Sequence, residues 1–311
     1  MKTEKRDSAE NYQKATEAYP YIYQIEITEN CNLKCPACYR THREGYKSET
    51  ITLDLINKIV DNGYLVNTPY TELQMSGEPL LVRHIDRIIK KIKSVDVMIG
   101  MSTNGSIVTD QAINTINTLD CLTISTDSFI QEHYERSRFP QKFDKFKHNL
   151  EIILNKINPK SLVYIQLLKT QYTDEFEESV KRLKDFLSSH NLDKPNVFIR
   201  HVDDCFDNMI NGTNNNVDSE ICINPFTSAS IKADGTIVPC CYDFSKRIPL
   251  GNLHKQTLSE IWEGRAYTRL RESFINNDRH EMCKECPYKS PMKMMYIFSN
   301  DLIKHKMRLM K

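Results

Sequence analysis

Ten cysteines occur in the 311 residues, and three of them, Cys31, Cys35 and Cys38, crowd into the segment CNLKCPACYR with the spacing C-x3-C-x2-C. Thiolates gathered on one short loop read as metal ligands rather than as packing groups. Two chemistries fit that spacing. Structural zinc would recruit His42 in a C-x3-C-x2-C-x3-H run, closing a tetrahedral site that stabilises the fold. A [4Fe–4S] cluster would use the three thiolates and leave one iron open, the position that a catalytic metal site keeps and a structural one fills. A second group lies towards the other end of the chain: Cys222, Cys240, Cys241 and the C-x2-C pair Cys283 and Cys286. Four thiolates there would close either a zinc site or a cluster. Cys121 and Cys205 stand apart from both groups.

The elements that must position these residues follow from the apolar pattern. β-like runs occur at 21–28, 71–77, 95–103, 121–127, 162–170 and 196–203, with helically spaced stretches between them, such as Leu53, Ile56 and Val60, or Ile85, Ile88, Ile89 and Ile92. This alternation predicts an α/β fold of repeated βα units with parallel strands. Six units are too few for the usual eight-stranded barrel. An open, partial (β/α)6 barrel is therefore expected over residues 20–204, with its helices outside. The cysteine loop follows the first strand, at the carboxyl edge where ligand sites form. The segments MSGEPLL (75–81) and MSTNGS (101–106) end the second and third strands at the same edge.

A polar extension, 1–19, precedes the barrel, and an Asn/Asp/Gly-rich linker, 205–221, follows it. A small domain over 222–290 should hold a β-hairpin turning at Asp234-Gly235 and one helix begun by a Thr257/Glu260 capping box, with Leu258, Ile261, Trp262 and Leu270 on one face. The tail, 291–311, is basic and Met-rich and reads as a surface helix. The net charge is +1, with both signs dispersed. Neither a nucleic-acid binder nor a membrane-surface protein has that electrostatic footprint. With no signal peptide and no apolar run of spanning length, a cytoplasmic location is expected, where reducing conditions favour metal-binding thiols over disulfides.

C-x3-C-x2-C after strand one, Gly-Glu-Pro after strand two and Thr-Asn-Gly after strand three together resemble the radical S-adenosylmethionine (SAM) superfamily. The resemblance implies that Cys31, Cys35 and Cys38 hold a [4Fe–4S] cluster whose open iron binds the amino and carboxylate groups of SAM. His42 then becomes an ordinary loop residue. It also implies that Ser76, Gly77, Glu78 and Pro79 form the segment facing the methionine end, Gly77 allowing close backbone approach and Glu78 accepting from the SAM ammonium group. Ser102, Thr103 and Asn104 become candidates for polar contacts to methionine or ribose. Ser125 and Asp127 are candidates for contacts to cofactor or substrate, Asp127 being grouped with the catalytic residues. Arg200 is a candidate partner for the SAM carboxylate. Ala37 departs from the family, which often has an aromatic there to pack near adenine, and the adjacent Tyr39 is the candidate replacement. The rear segment, C-x12-G-x4-C followed by PCCYDF, LGNLHKQTLSEIW and C-x2-C, resembles the auxiliary-cluster domain called SPASM, in its shortened twitch form. It implies one further [4Fe–4S] cluster on Cys222, Cys240, Cys283 and Cys286, with Cys241 a bystander and Cys241 in place of Cys240 the alternative.

The family reaction is reductive cleavage of SAM, fed by an external electron donor such as flavodoxin or ferredoxin. The 5′-deoxyadenosyl radical so formed abstracts a substrate hydrogen atom. The short polar start tilts the expectation towards a small-molecule substrate (a sugar, cyclitol or aminoglycoside) undergoing oxidation or epimerisation. In epimerisation Cys205, just past strand six, would be the hydrogen-atom donor. Modification of a peptide or protein is the alternative enzymatic reading, and a zinc-binding scaffold the alternative outside enzymes.

Overall fold

The computed structural model describes residues 19–42, 48–203, 222–284 and 286. Most of the polar extension, the linker with Cys205 and the basic tail lie outside the described residues. Six parallel strands follow the expected order: β1 Tyr21–Ile25, β2 Tyr70–Glu72, β3 Met98–Thr103, β4 Cys121–Ser125, β5 Leu162–Lys169 and β6 Val197–Asp203. Between them run α1 Leu53–Asp61, α2 Ile85–Ile92, α3 Asp110–Ile116, α4 Gln131–Ser137, α5 Phe143–Lys156 and α6 Phe176–Ser189. Helix α2 shows why these segments fold as they do. Ile85, Ile88, Ile89 and Ile92 recur at helical spacing and all four are buried against the sheet, while the charged residues face out. Thr52 and Thr109 start α1 and α3 by accepting a hydrogen bond from the backbone three residues on. No helix among the described residues is long and apolar enough to cross a membrane.

Strand β2 is shorter than the apolar run over 71–77 suggested. Leu73 still donates to Gly100 O at 2.8 Å, but the chain then leaves the ladder, and Glu78 N–H binds Asn30 O at 2.7 Å. The segment is therefore tied to the cysteine loop instead of to the sheet.

The hairpin around Asp234-Gly235 forms, as β7 Ser228–Ile231 and β8 Thr236–Val238, with Gly235 at φ +79° where a side chain would be strained. It is not a separate sheet. β7 pairs parallel with β1, and β9 Gly251–Asn252 completes a nine-stranded order β6-β5-β4-β3-β2-β1-β7-β8-β9. The small domain so extends the barrel's first edge. A short turn of helix, α7 Asn224–Thr227, precedes the hairpin. The single helix expected afterwards is two, α8 Leu258–Trp262 and α9 Arg265–Ile275. The break is at Gly264, where a Cβ would sit 2.7 Å from Glu260 O. Leu258, Ile261, Trp262 and Leu270 are all buried nonetheless, and the Thr257/Glu260 capping box is present.

Candidate active site

The carboxyl edges of the parallel strands enclose a cavity of about 310 Å³. Cys31, Cys35 and Cys38 line one wall. Their loop is braced by Lys34 N–H to Phe139 O at 2.7 Å, Cys38 N–H to Cys35 O at 3.0 Å and the Arg40 guanidinium on Leu33 O. Burial pushes the Cys35 thiol up to about 12 and the Cys38 thiol upward, and each feels the charges of the neighbouring cysteines. Thiols held protonated by burial ionise when a metal takes the proton's place. Two donors already point at Cys31 Sγ, Leu33 N–H at 3.5 Å and Asn104 Nδ2 at 3.8 Å. His42 instead meets Pro36 O through Nε2, so that nitrogen is engaged with backbone.

The Gly-Glu-Pro segment meets the end of β3. Glu78 is 2% exposed. Its Oε1 accepts from Thr103 Oγ1 at 2.9 Å and Leu80 N–H at 3.2 Å, and its Oε2 from Asn104 N–H at 2.7 Å. Burial nevertheless pushes its carboxyl up to about 7. Gly77 allows a close approach, but to protein: a Cβ there would lie 2.1 Å from Thr28 O and 2.7 Å from Asn30 O. Ser76 Oγ donates to Glu26 Oε1. Pro79 opens a single 3-10 turn, Pro79–Leu81, capped by Glu78. Ser76, Gly77, Glu78, Ser102, Thr103, Asn104, Ser125, Asp127 and Arg200 all line the cavity; Pro79 is buried and does not.

Three arginines reach the cavity, Arg40 from the cysteine loop and two from the barrel. Arg200 on β6 donates to Gln166 Oε1, lies 5.0 Å over the Tyr164 ring and acts on the charge of Glu72. Arg138, which follows α4, is ion-paired with Asp127, and its charge reaches Cys35, Cys38 and Glu78. Asp127 holds its bond to Arg138 from a left-handed conformation at φ 62°. Nothing in the local sequence of Arg138 marked it. Gln24, Glu72 and Gln166 were also passed over, although a polar residue inside each of the apolar runs YIYQIEIT, TELQ and VYIQLL was a readable sign of an inward, wet face.

The small domain supplies the remaining wall with Cys241, Tyr242 and Phe244. Tyr39 stacks on Phe244, centroids 6.1 Å apart, beside Met75 and Val238. Behind this wall stand the rear thiols. Burial pushes Cys222 and Cys283 up to about 12, Cys222 feels Cys286 and Cys283, and Cys240 feels Cys241, Cys222 and Cys286. Of the adjacent cysteines, Cys240 feels two of the rear thiols and Cys241 borders the barrel cavity. Among the described residues no three Cys, His, Asp or Glu side chains gather as they would around a single ion. All-thiol donor sets fit iron–sulfur ligation.

The comparisons with known proteins agree with this geometry. The radical SAM superfamily profile matches residues 25–183, just over half of the chain, and that of an iron–sulfur cluster-binding domain, SPASM, matches residues 222–287. The chain belongs to the radical SAM superfamily. As such it uses a SAM-binding [4Fe–4S] cluster and auxiliary iron–sulfur ligation. A tungsten-containing aldehyde ferredoxin oxidoreductase cofactor-modifying protein of Pyrococcus furiosus is 32% identical over 98 residues, 30% of this chain and 26% of that protein. The chain therefore spans only about a quarter of that relative's length. A S-adenosyl-L-methionine-dependent 2-deoxy-scyllo-inosamine dehydrogenase of Niallia circulans is 21% identical over 296 residues, 85% of this chain and 92% of that protein. A cysteine-type anaerobic sulfatase-maturating enzyme of Clostridium novyi is 22% identical, covering 83% of each. Among solved structures, BtrN in complex with AdoMet and 2-DOIA superposes with a TM-score of 0.56 at 15% identity, over 87% of this chain and 94% of that one. This radical SAM chain shares the fold of that structure.

Proposed function

We propose that the enzyme oxidises a hydroxylated small molecule of the sugar, cyclitol or aminoglycoside type. The observation that carries this reading is the polar inner face of the cavity, where Gln24, Glu72, Gln166 and Arg200 meet beneath the cysteine loop. A ring bearing hydroxyl or amino groups suits such a surface, whereas an apolar substrate would strand those groups. Near end-to-end similarity to a cyclitol dehydrogenase supports it.

In this reading Cys31, Cys35 and Cys38 hold the SAM-binding cluster, and Cys222, Cys240, Cys283 and Cys286 hold the auxiliary one. Bound together, cluster and SAM supply a carbon-centred radical that removes a hydrogen atom from substrate. The chain's own residues do the positioning. Glu78 faces the SAM ammonium while tying β3 to the Gly-Glu-Pro segment. Arg138, in place of Arg200, pairs with the SAM carboxylate: its charge acts on Cys35 of the cysteine loop. Ser102, Thr103, Asn104 and Ser125 offer polar contacts along the same edge, and Asp127 acts by orienting Arg138. Tyr39 and Phe244 close one side against water.

Incubating the reconstituted enzyme anaerobically with SAM, reductant and 2-deoxy-scyllo-inosamine tests this. Oxidation gives 5′-deoxyadenosine and a product lighter by two hydrogens. A product of unchanged mass in ordinary water that becomes one mass unit heavier in heavy water marks epimerisation, a second reading favoured by the Cys241 thiol on the cavity wall. Turnover of peptides alone would refute the small-molecule reading.

A further inference from the structure

Gln24 and Glu72 are register partners on β1 and β2. They are 6% and 5% exposed, and both line the cavity. Their placement is built in. The β1–β7 register shifts between Ile22 and Gln24, which lets consecutive residues Tyr23 and Gln24 both reach the cavity where regular alternation would send one away. On the far side of Glu72, Gly100 leaves room: a Cβ there would lie 1.9 Å from Tyr70 Oη and 2.8 Å from Glu72 Oε1.

Tyr70 Oη donates to Glu72 Oε1. Glu72 Oε2 and Gln24 Oε1, by contrast, have no hydrogen-bond partner although both atoms are buried. Two neighbouring buried acceptors without donors are costly to keep. Native proteins keep such groups where a ligand or an ordered water completes them. The cavity beside them also holds the cysteine loop and the SAM-facing edge, so whatever donates to these oxygens lies next to the reacting centre.

We propose that Glu72 Oε2 and Gln24 Oε1 form the substrate subsite, accepting hydrogen bonds from adjacent donor groups, hydroxyl or ammonium, on a saturated ring. This rests on the small-molecule reading above and narrows it: the substrate carries a donor pair on the edge it turns towards β1 and β2. Gln166 and Arg200 line the same cavity. The subsite holds the ring in place and takes no part in hydrogen transfer, so it acts on binding and on which carbon is presented.

The test uses the reconstituted holoenzyme with SAM, measuring dissociation constants for 2-deoxy-scyllo-inosamine and scyllo-inositol. Glu72→Gln and Gln24→Met keep side-chain size while removing an acceptor. Each should weaken binding of a probe at least tenfold with the dissociation constant for SAM unchanged, which also verifies the fold. A larger loss for the amine than for the inositol in Glu72→Gln assigns the contact to ammonium, and equal losses assign it to hydroxyl. Wild-type binding that neither substitution alters would overturn the subsite and leave the small-molecule reading standing. A wild type that binds neither probe overturns both.

Discussion

Lys232 is the most demanding residue of the small domain: wholly buried, with its ammonium 2.8 Å from Glu26 Oε2 and 3.5 Å from Glu29 Oε1. Glu26 is also wholly buried and Glu29 is 1% exposed. Glu26 further accepts from Ser76 Oγ, and Met75 Sδ lies 3.5 Å from the ammonium. One cation from the β7–β8 turn therefore bridges two carboxylates of the loop after β1 and steadies the residues that lead into Gly77 and Glu78. Replacing it by methionine keeps most of the volume and strands two carboxylates. At an effective dielectric of 20 the two attractions are about 6 and 5 kcal/mol, but the lysine's own desolvation is recovered. The net loss expected for breaking such a network is about 3–5 kcal/mol, a fall in melting temperature on the order of 10 °C. Scanning the anaerobic holoenzyme measures it. The pH dependence follows from sign. Burial already raises the Glu26 carboxyl above 4.5, and loss of Lys232 raises it further, so the folded variant binds a proton that the unfolded chain has released. Its stability then falls as pH rises above the unfolded value, and the deficit is larger at pH 8 than at pH 6. Adding Glu26→Gln to Lys232→Met should recover at least half of the loss. A Lys232→Met enzyme within a degree or two of wild type, or a loss that neither acid nor the second substitution relieves, refutes the account.

Other perturbations separate the roles of neighbouring residues. Burial pushes the Glu78 carboxyl up to about 7, and only the ionised form attracts an ammonium, so SAM affinity measured by anaerobic titration should tighten from pH 6 to 8 and lose that dependence in Glu78→Gln. Gly77→Ala drives a methyl into two backbone carbonyls, and SAM binding should fall at least tenfold while the rear cluster's spectrum persists. Cys240→Ala should lose auxiliary-cluster iron and Cys241→Ala should keep it, as counted by iron and sulfide per chain. Arg138→Leu leaves Asp127 buried beside a lost partner, which should cost about 3–5 kcal/mol and weaken SAM in equilibrium dialysis; intact affinity would return the carboxylate contact to Arg200.

The strands were legible because each βα unit carries its own pattern: the isoleucines of α2 and the run LVYIQLLKT need no distant partner to declare their period. The three edge motifs were legible for a related reason, since a loop that grips a cofactor spends consecutive residues on it. What escaped the reading depends on long-range placement. β7 has no local feature saying that it will pair parallel with β1, and Lys232 reads as one more lysine until its partners 206 and 203 positions away enclose it. By spacing either Cys240 or Cys241 can ligate; in the fold Cys240 feels Cys222 and Cys286, and Cys241 borders the barrel cavity. Because the hairpin before them continues the barrel sheet, the turn that presents Cys240 to the rear thiols also fixes where Cys241 and Phe244 meet the SAM-facing edge. The two centres are therefore coupled through one backbone segment. A change that loosens the Glu26–Lys232 contact should disturb both, and one confined to the rear thiols should leave SAM affinity intact.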